Sequence, residues 1–289
     1  STALVDADRA FGAVSGKFAM ELCMEKARKT GCASVSVTHA NHYGFLAYYT
    51  MMAAEKDMIG FTMCNAAAST SIWGTNERVL GTNPFSVAIP ADKKRPVVFD
   101  AATSVVAQGK VAVAEIENKP IPENWAYDKE GNPTTVPSKA LAGAMRPFGD
   151  YKGSGISILI SLICAGLNGV PFDMEEEAIR RSEDFSSGSD LGDLFIVIDI
   201  SSFTRVDTFK KRVDAFIDMA KGFRKAPGFD EIFMPGEIEF NNVDRFRRLG
   251  GFEISNNLFA KLKKICDKYD LGYDMDTWIK RKWSLLITK

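Results

Sequence analysis

Histidine is scarce in this chain: His39 and His42 are the only two in 289 residues, and they lie three positions apart. Five cysteines (Cys23, Cys32, Cys64, Cys164 and Cys266) are scattered and never form a Cys-x-x-Cys pair. A metal centre built by the protein is therefore not expected. The same odd, dispersed set argues against a disulfide framework and for reduced thiols in the cytoplasm. Net charge is nearly absent, with 36 Lys and Arg against 37 Asp and Glu, so neither nucleic acid nor an anionic membrane is an expected partner. No apolar run reaches bilayer length: the nearest, Ile156–Leu167, is short and broken by Ser157, Ser161 and Gly166. No signal peptide is visible. Missing too are the Gly-x-Gly-x-x-Gly of a conventional Rossmann domain, the Gly-x4-Gly-Lys-Ser/Thr phosphate loop, the Gly-x-Ser-x-Gly elbow and the His-Glu-x-x-His helix.

What is present reads as a globular chain of mixed architecture. Hydrophobic residues make up 46% and charged residues 25% of the sequence, enough for a sizeable core. Phe11–Lys29 places Val14, Phe18 and Leu22 at four-residue steps before Gly31, the pattern of an amphipathic helix. Cys32–Val37 alternates as a strand, Phe45–Lys56 reads as a helix and Met58–Cys64 as a second strand. Asn65–Glu77 is small and polar and is expected to be a surface loop. Phe85–Pro90 and Pro96–Phe99 follow as strands, the second buried. Asp100–Ser104 has the composition of a cap opening a helix to about Lys110. Ile156–Leu167 is apolar nearly all round, which predicts burial at the centre of the fold. Glu175–Asp193 is acidic and rich in Ser and Gly, a surface excursion. Leu194–Ile200 reads as a buried strand, Val206–Ala220 as a helix, Met234–Glu237 as a turn, and Ser255 as the cap of a last helix. Alternating strands and helices point to α/β architecture, and no internal boundary divides the 289 residues.

The polar residues worth weighing sit where strands end. His42 follows the strand Cys32–Val37 in Asn41-His42-Tyr43-Gly44, and imidazole is the side chain best suited to proton transfer near neutrality. Asp100 ends one apolar strand, with Thr103 and Ser104 beside it, in the position where α/β folds collect ligands. Lys152, between Tyr151 and Gly153, is a candidate phosphate-binding cation. Each has a plainer reading as a cap, a loop residue or a solvated lysine.

Taken in order, these pieces resemble a known family. They are Asn41-His42-Tyr43-Gly44, Gly81-Thr82-Asn83-Pro84, Asp100-x-Ala-Thr-Ser with Gly109-Lys110, and Trp125-Ala126-x-Asp128-x-x-Gly131-x-Pro133. Lys152-Gly153-x-Gly155 and Met234-Pro235-Gly236-Glu237 complete the series. Their order is similar to that of the malate/L-lactate dehydrogenase family of nicotinamide-dependent oxidoreductases. That family includes L-sulfolactate dehydrogenase, ureidoglycolate dehydrogenase and 2,3-diketogulonate reductase. The resemblance spans roughly residues 5–262 and implies an L-sulfolactate dehydrogenase-like, three-layer α/β/α fold with a mixed sheet and non-Rossmann dinucleotide binding. It implies a homodimer, NAD or NADP as cofactor, and interconversion of a small 2-hydroxy acid with its 2-oxo acid. By resemblance His42 and Asp100 are the catalytic candidates. Thr82, Asn83 and Pro84 would line the dinucleotide cleft. Asp100, Ala101, Ala102, Thr103, Ser104, Tyr151, Lys152, Pro235, Gly236 and Glu237 would contact the cofactor.

Family members also carry an N-terminal helical segment with a Ser-His-Gly motif and an arginine, ahead of the position corresponding to Ser1. The alternative to an active dehydrogenase is thus a member that binds cofactor or oligomerises without that proton donor. A metal-dependent hydrolase using His39 and His42 is a third reading. Tyr273–Lys289, with Trp278 and Trp283, is expected to be a helix packing on a partner subunit or, as a lesser alternative, lying on a membrane surface.

Overall fold

A computed structural model describes residues 1–181, 188–252 and 254–272; the segment Tyr273–Lys289 lies outside them. A six-stranded mixed sheet organises the chain in the order β1-β2-β8-β3-β4-β5. Its strands are β1 (Thr2–Asp6), β2 (Cys32–Ala40), β3 (Met58–Cys64), β4 (Phe85–Ile89), β5 (Val97–Ala101) and β8 (Leu191–Asp199). Only β1 and β2 run parallel, joined by helix α1 (Gly12–Thr30); the other pairs are antiparallel.

Alternation along the strands decides which side chains meet which layer. Ala33, Val35 and Val37 of β2, with Phe195 and Val197 of β8, face α1 and α2 (Ala47–Ala54) in the larger core. Leu194 and Ile196 point the other way, against Ile160 and Cys164 of α5 (Tyr151–Asn168). Helices therefore cover both faces, giving the three-layer α/β/α arrangement. A smaller lobe packs α3 (Gln108–Ile116) and α4 (Pro137–Ala142) around Val111 and Met145, beside the β6–β7 pair (Ala126–Tyr127 and Ala144–Met145). Next to β8 in the chain come α6 (Asp173–Arg181) and α7 (Val206–Lys221), and α8 (Glu237–Leu249) and α9 (Asn256–Lys268) close the described chain. Ser255 caps α9, accepting the N–H of Leu258. No single helix among the described residues is long and apolar enough to cross a membrane.

Several expectations are corrected. Asp100 does not open a helix: Asp100 and Ala101 are ladder residues of β5, opposite Ser86 and Phe85, and α3 begins only at Gln108. Phe99 is 40% exposed, so β5 is an edge strand rather than a buried one. Residues 65–71 are not on the surface, because Ser69 and Ser71 donate backbone hydrogen bonds to Leu80 and Met145 and draw the segment inward. Helix α5 is not buried all round. Its inner face is small and polar (Gly153, Ser157, Ser161), letting it lie close on the sheet, while Leu159, Leu162 and Leu167 point outward. The stretch 175–193 is no simple excursion either, since it contains α6 with buried Glu176 and the first residues of β8. Strand β1 and helices α4 and α8 are additional to the expected elements.

Asp193 is wholly buried in β8 between Val37 and Cys64, and neither carboxylate oxygen has a hydrogen-bond partner. Burial pushes its pKa well above the usual carboxylate range. Folding then costs a proton uptake that grows as pH rises above the unfolded carboxylate's pKa, so stability falls with rising pH up to the raised folded pKa. Urea midpoints of wild type and Asp193→Asn at pH 5, 6, 7 and 8 test this. The difference between them is expected to shift in favour of the variant by up to about 1.4 kcal/mol per pH unit; a constant difference across the series would refute it.

Candidate active site

The histidine loop is fixed by its neighbours on both sides. β2 runs further than its alternation suggests, to Ala40, with a bulge after Val37. His39 therefore belongs to the strand, at φ 52°, with its Nδ1 3.0 Å from Asp6 Oδ1. The Asp8 backbone N–H, and then His39, hold the Asp6 carboxyl below its ordinary range. Beyond the strand, Asn41 Nδ2 donates to the carbonyls of Arg9 (2.6 Å) and Ala10 (3.2 Å), and its Oδ1 accepts the Ser189 N–H (3.0 Å). A Cβ on Gly12 would lie 2.3 Å from Asn41 O and 2.5 Å from His42 O, so only glycine lets α1 start against this loop. On the far side Tyr43 is buried, its hydroxyl 3.1 Å from Thr62 Oγ1 and its carbonyl accepting the Tyr49 hydroxyl at 2.5 Å. His42 is exposed between these two anchors, and its Nδ1 accepts the Gly44 N–H at 3.2 Å. In the neutral ring that bond leaves the proton on Nε2.

Asp100 works on the same loop from across the sheet. Its Oδ2 accepts the Ala47 N–H at 2.8 Å, so it caps α2 rather than a helix of its own. Burial raises its pKa, against the lowering effect of the Ala47 and Leu46 N–H groups, and Glu239 adds a further rise. A cleft of about 740 Å³ opens beside it between α2, β5 and α8, walled by Phe45, Met51, Phe99 and Phe240. The Pro235-Gly236 turn forms its third side. Pro235 O accepts the Val98 N–H at 3.0 Å and covers the edge of β5. Gly236 takes φ 89° with its Cα side against Val98 O, an approach closed to larger residues. Glu237 turns inward, accepting from Met234 N–H and pairing with Lys221 Nζ, both at 2.8 Å.

The remaining candidates gather at the other end of the 100–104 segment. Thr103 donates both its N–H and its Oγ1–H to Thr82 O (2.8 and 2.9 Å), and its carbonyl accepts the Phe148 N–H (3.0 Å). Strand-end turns around Thr82, Thr103 and Phe148 are thus one layer, leading into the exposed Tyr151 and Lys152 in the first turn of α5. Pro84 continues from this turn into β4, and Ala101 and Ala102 join the two groups. The side chains of Asn83 and Ser104 are not offered to a ligand. Asn83 Nδ2 donates to Asp173 Oδ2 (2.7 Å) and Ser157 O (3.2 Å), its Oδ1 accepts from Ala66 N–H (3.1 Å), and Ser104 Oγ donates to Val106 O (2.7 Å). Both residues are buried and frame the site from behind.

The structure therefore brings Asp100, Pro235 and Gly236 to one cleft, and Thr82, Thr103, Tyr151 and Lys152 to one loop layer. His42 stands outside the cleft lining, although Phe45 and Ala47 of the same connection belong to it. Phe45, Glu239 and Phe240 carried no sequence signal, because only the packing of α8 on the β5 edge brings them together. Among the described residues no group of three or more His, Cys, Asp and Glu side chains could hold a metal ion.

Comparison with known proteins identifies the family. The family model described as malate/L-lactate dehydrogenase matches residues 1–263. L-sulfolactate dehydrogenase of Methanocaldococcus jannaschii is 39% identical over 279 residues, 96% of this chain and 78% of that protein. Its solved structure, aligned at 38% identity over the same shares of the two chains, superposes with a TM-score of 0.79. Malate dehydrogenase from Entamoeba histolytica superposes with a TM-score of 0.86 at 29% identity, over 93% of this chain and 77% of that one. Ureidoglycolate dehydrogenase (NAD(+)) of Escherichia coli O157:H7 is 31% identical over 90% of this chain and 73% of its own length. With a matched fold and a family model spanning nearly all of the described residues, the chain belongs to the malate/L-lactate dehydrogenase family.

Proposed function

We propose that the protein is an NAD(P)-dependent oxidoreductase that interconverts a small 2-hydroxy acid and its 2-oxo acid, acting as one oxidoreductase domain. The observation that carries this reading is the imidazole of His42, anchored on both sides in the loop that runs on through Phe45 and Ala47 into the lining of the Asp100 cleft. The residues present fit a nicotinamide dinucleotide. Apolar walls with a carboxylate at the rim suit a nucleoside, and the exposed Lys152 at the start of an 18-residue helix suits its phosphates. When bound, the nicotinamide supplies or accepts the hydride at C2 of the acid; relatives in the family use NAD or NADP.

The chain's own groups do the rest. His42 Nε2–H donates a hydrogen bond to the oxygen on C2, polarising the ketone and stabilising the alkoxide that forms as it is reduced, and the proton that completes the hydroxyl comes from solvent water. Asp100 holds the first turn of α2, and with it the exit of the histidine loop, in place through Ala47. Reduced cysteines support a cytoplasmic setting, since Cys23, Cys32, Cys64, Cys164 and Cys266 are all free.

Assembly as a homodimer is part of the proposal. Leu159, Leu162 and Leu167 are exposed on the outer face of α5, an apolar surface that a second copy would cover. A charge at its centre, Leu162→Glu, is expected to convert a dimer to monomer in analytical ultracentrifugation with helical content retained. A wild type that sediments as a monomer would sink this part.

Activity is tested with the protein bearing its natural N-terminus. NAD(P)H absorbance is followed with malate, lactate, ureidoglycolate and sulfolactate, and no turnover of any of them with either cofactor would refute the assignment. His42→Ala is expected to lower kcat by about 10²- to 10⁴-fold. His42→Asn, which keeps an N–H donor, should lose less. Equal losses in the two variants would show that donation from Nε2 is not the role of the ring.

A further inference from the structure

We propose that the cleft between α2, β5 and α8 chooses between the two nicotinamide cofactors. It takes an adenosine whose ribose 2′-hydroxyl is free, and its two carboxylates, Asp100 and Glu239, turn away a 2′-phosphate. The protein is accordingly NAD-dependent and discriminates against NADP. This inference rests on the dehydrogenase reading and goes beyond it, because that reading accepts either dinucleotide. The cleft suits the adenosine end for two reasons. Phe45, Phe99 and Phe233 are exposed rings in its lining, open area on which a purine can stack. His42 does not line it, and the nicotinamide has to meet the carbon whose oxygen His42 serves, which leaves this cleft to the other nucleoside.

Among the described residues, the charged side chains that line the cleft are Asp100 and Glu239. Asp100 stands near the end of β5 and Glu239 in the first turn of α8. The two face the same space, since the charge of Glu239 adds to the rise that burial gives the Asp100 pKa. Asp100 Oδ2 accepts the Ala47 N–H at 2.8 Å, and a carboxylate offers about four lone-pair positions, so acceptor capacity remains for a ribose hydroxyl. Two cations approach the walls from outside the lining, and both are already paired. Arg95 lies 5.1 Å from the centre of the Phe240 ring and pairs with Asp244. Lys221 pairs with Glu231 and Glu237, each at 2.8 Å.

The chemistry of such a lining separates the two cofactors. A ribose hydroxyl is a donor, and a carboxylate accepts from it. A 2′-phosphate has only acceptors and close to two negative charges to offer. Binding it calls for an arginine fork or a lysine, and the lining holds neither. Beside Asp100 and Glu239 it would instead meet like charge, between apolar walls that limit the screening by water.

The test uses two fragments that differ by the 2′-phosphate alone, 5′-AMP and adenosine 2′,5′-bisphosphate. Each is titrated calorimetrically into the full-length protein and into Glu239→Gln and Glu239→Lys. Glu239 is exposed on α8, so both variants are expected to fold, and their melting temperatures check this. The wild type is expected to bind 5′-AMP about 10²-fold more tightly than the bisphosphate. Glutamine should narrow that gap about 5-fold or more and lysine further, and added salt should narrow it in the wild type. Equal affinity for the two fragments, or a preference for the bisphosphate, overturns the proposal. So does a gap that both substitutions leave unchanged. Binding of neither fragment overturns it too, because the cleft then holds no adenosine. Turnover of the acids with NAD and with NADP, measured alongside, tells the two readings apart. Equal kcat/KM with both cofactors sinks the selection and keeps the dehydrogenase. Fragment discrimination as expected, with no acid turned over, keeps the selection and sinks the dehydrogenase.

Discussion

The carboxylate of Asp173 accepts hydrogen bonds from the Gly81 N–H (2.9 Å), Asn83 Nδ2 (2.7 Å) and Ser161 Oγ (2.9 Å), and the Asp173 carbonyl accepts the Ala68 N–H (2.9 Å). One buried residue thus joins the turn before β4, the inner face of α5, the start of α6 and the inward-drawn segment after β3. Burial raises its pKa, and the Asn83, Gly81 and Ser161 donors oppose that rise. Filled acceptors lower the cost of burying such a group. From this junction the layer extends through Asn83 and Thr82 to Thr103 and on to Phe148, so the loops of the candidate site take their positions from a residue outside its lining.

Asp193 is the counter-example in the same molecule. It is as deeply buried, lies in the central strand β8, and has no donor for either oxygen. The two aspartates show that the sequence of a polar residue says little about its energetics, because the partners of Asp173 come from positions 81, 83 and 161. No local pattern could have joined them. For the same reason the notable absence in the sequence, its shortage of histidine, was more informative than any of its carboxylates.

Where local and long-range signals agreed, the sequence was readable. β2, β3 and α9 follow from alternation, periodicity and the Ser255 cap, and the order of short motifs identified the family and the mixed three-layer fold; α1 lies where expected, but the Val14 and Phe18 of its four-residue pattern are exposed and the face it buries is Gly16, Ala19, Met20 and Cys23. Where they competed, pairing won. Asp100-Ala-Ala-Thr-Ser has the composition of a helix start, yet ladder bonds to Ser86 and Phe85 extend the strand through Ala101. Residues 65–71 look like a loop by composition because their burial depends on Leu80 and Met145. The outer face of α5 looked like core because hydrophobicity alone cannot tell a residue covered by its own chain from one left for another surface. Of the candidate site, the histidine loop was legible; that Asn83 is tied to Asp173 and Ser157, and Asp100 to Ala47, required the three-dimensional partners of their side chains.

β1 and β2 are the sheet's single parallel pair, so the connections leaving their C-terminal ends emerge side by side. Residues 9–12 of the first connection grip residues 41–42 of the second through Asn41 and the bare Cα of Gly12. The placement of His42 is thereby encoded some thirty positions earlier in the chain. Substitutions around Arg9, Ala10 and Gly12 therefore act on the position of the imidazole from a separate stretch of the chain, through main-chain contacts and with no change in the histidine loop's own sequence.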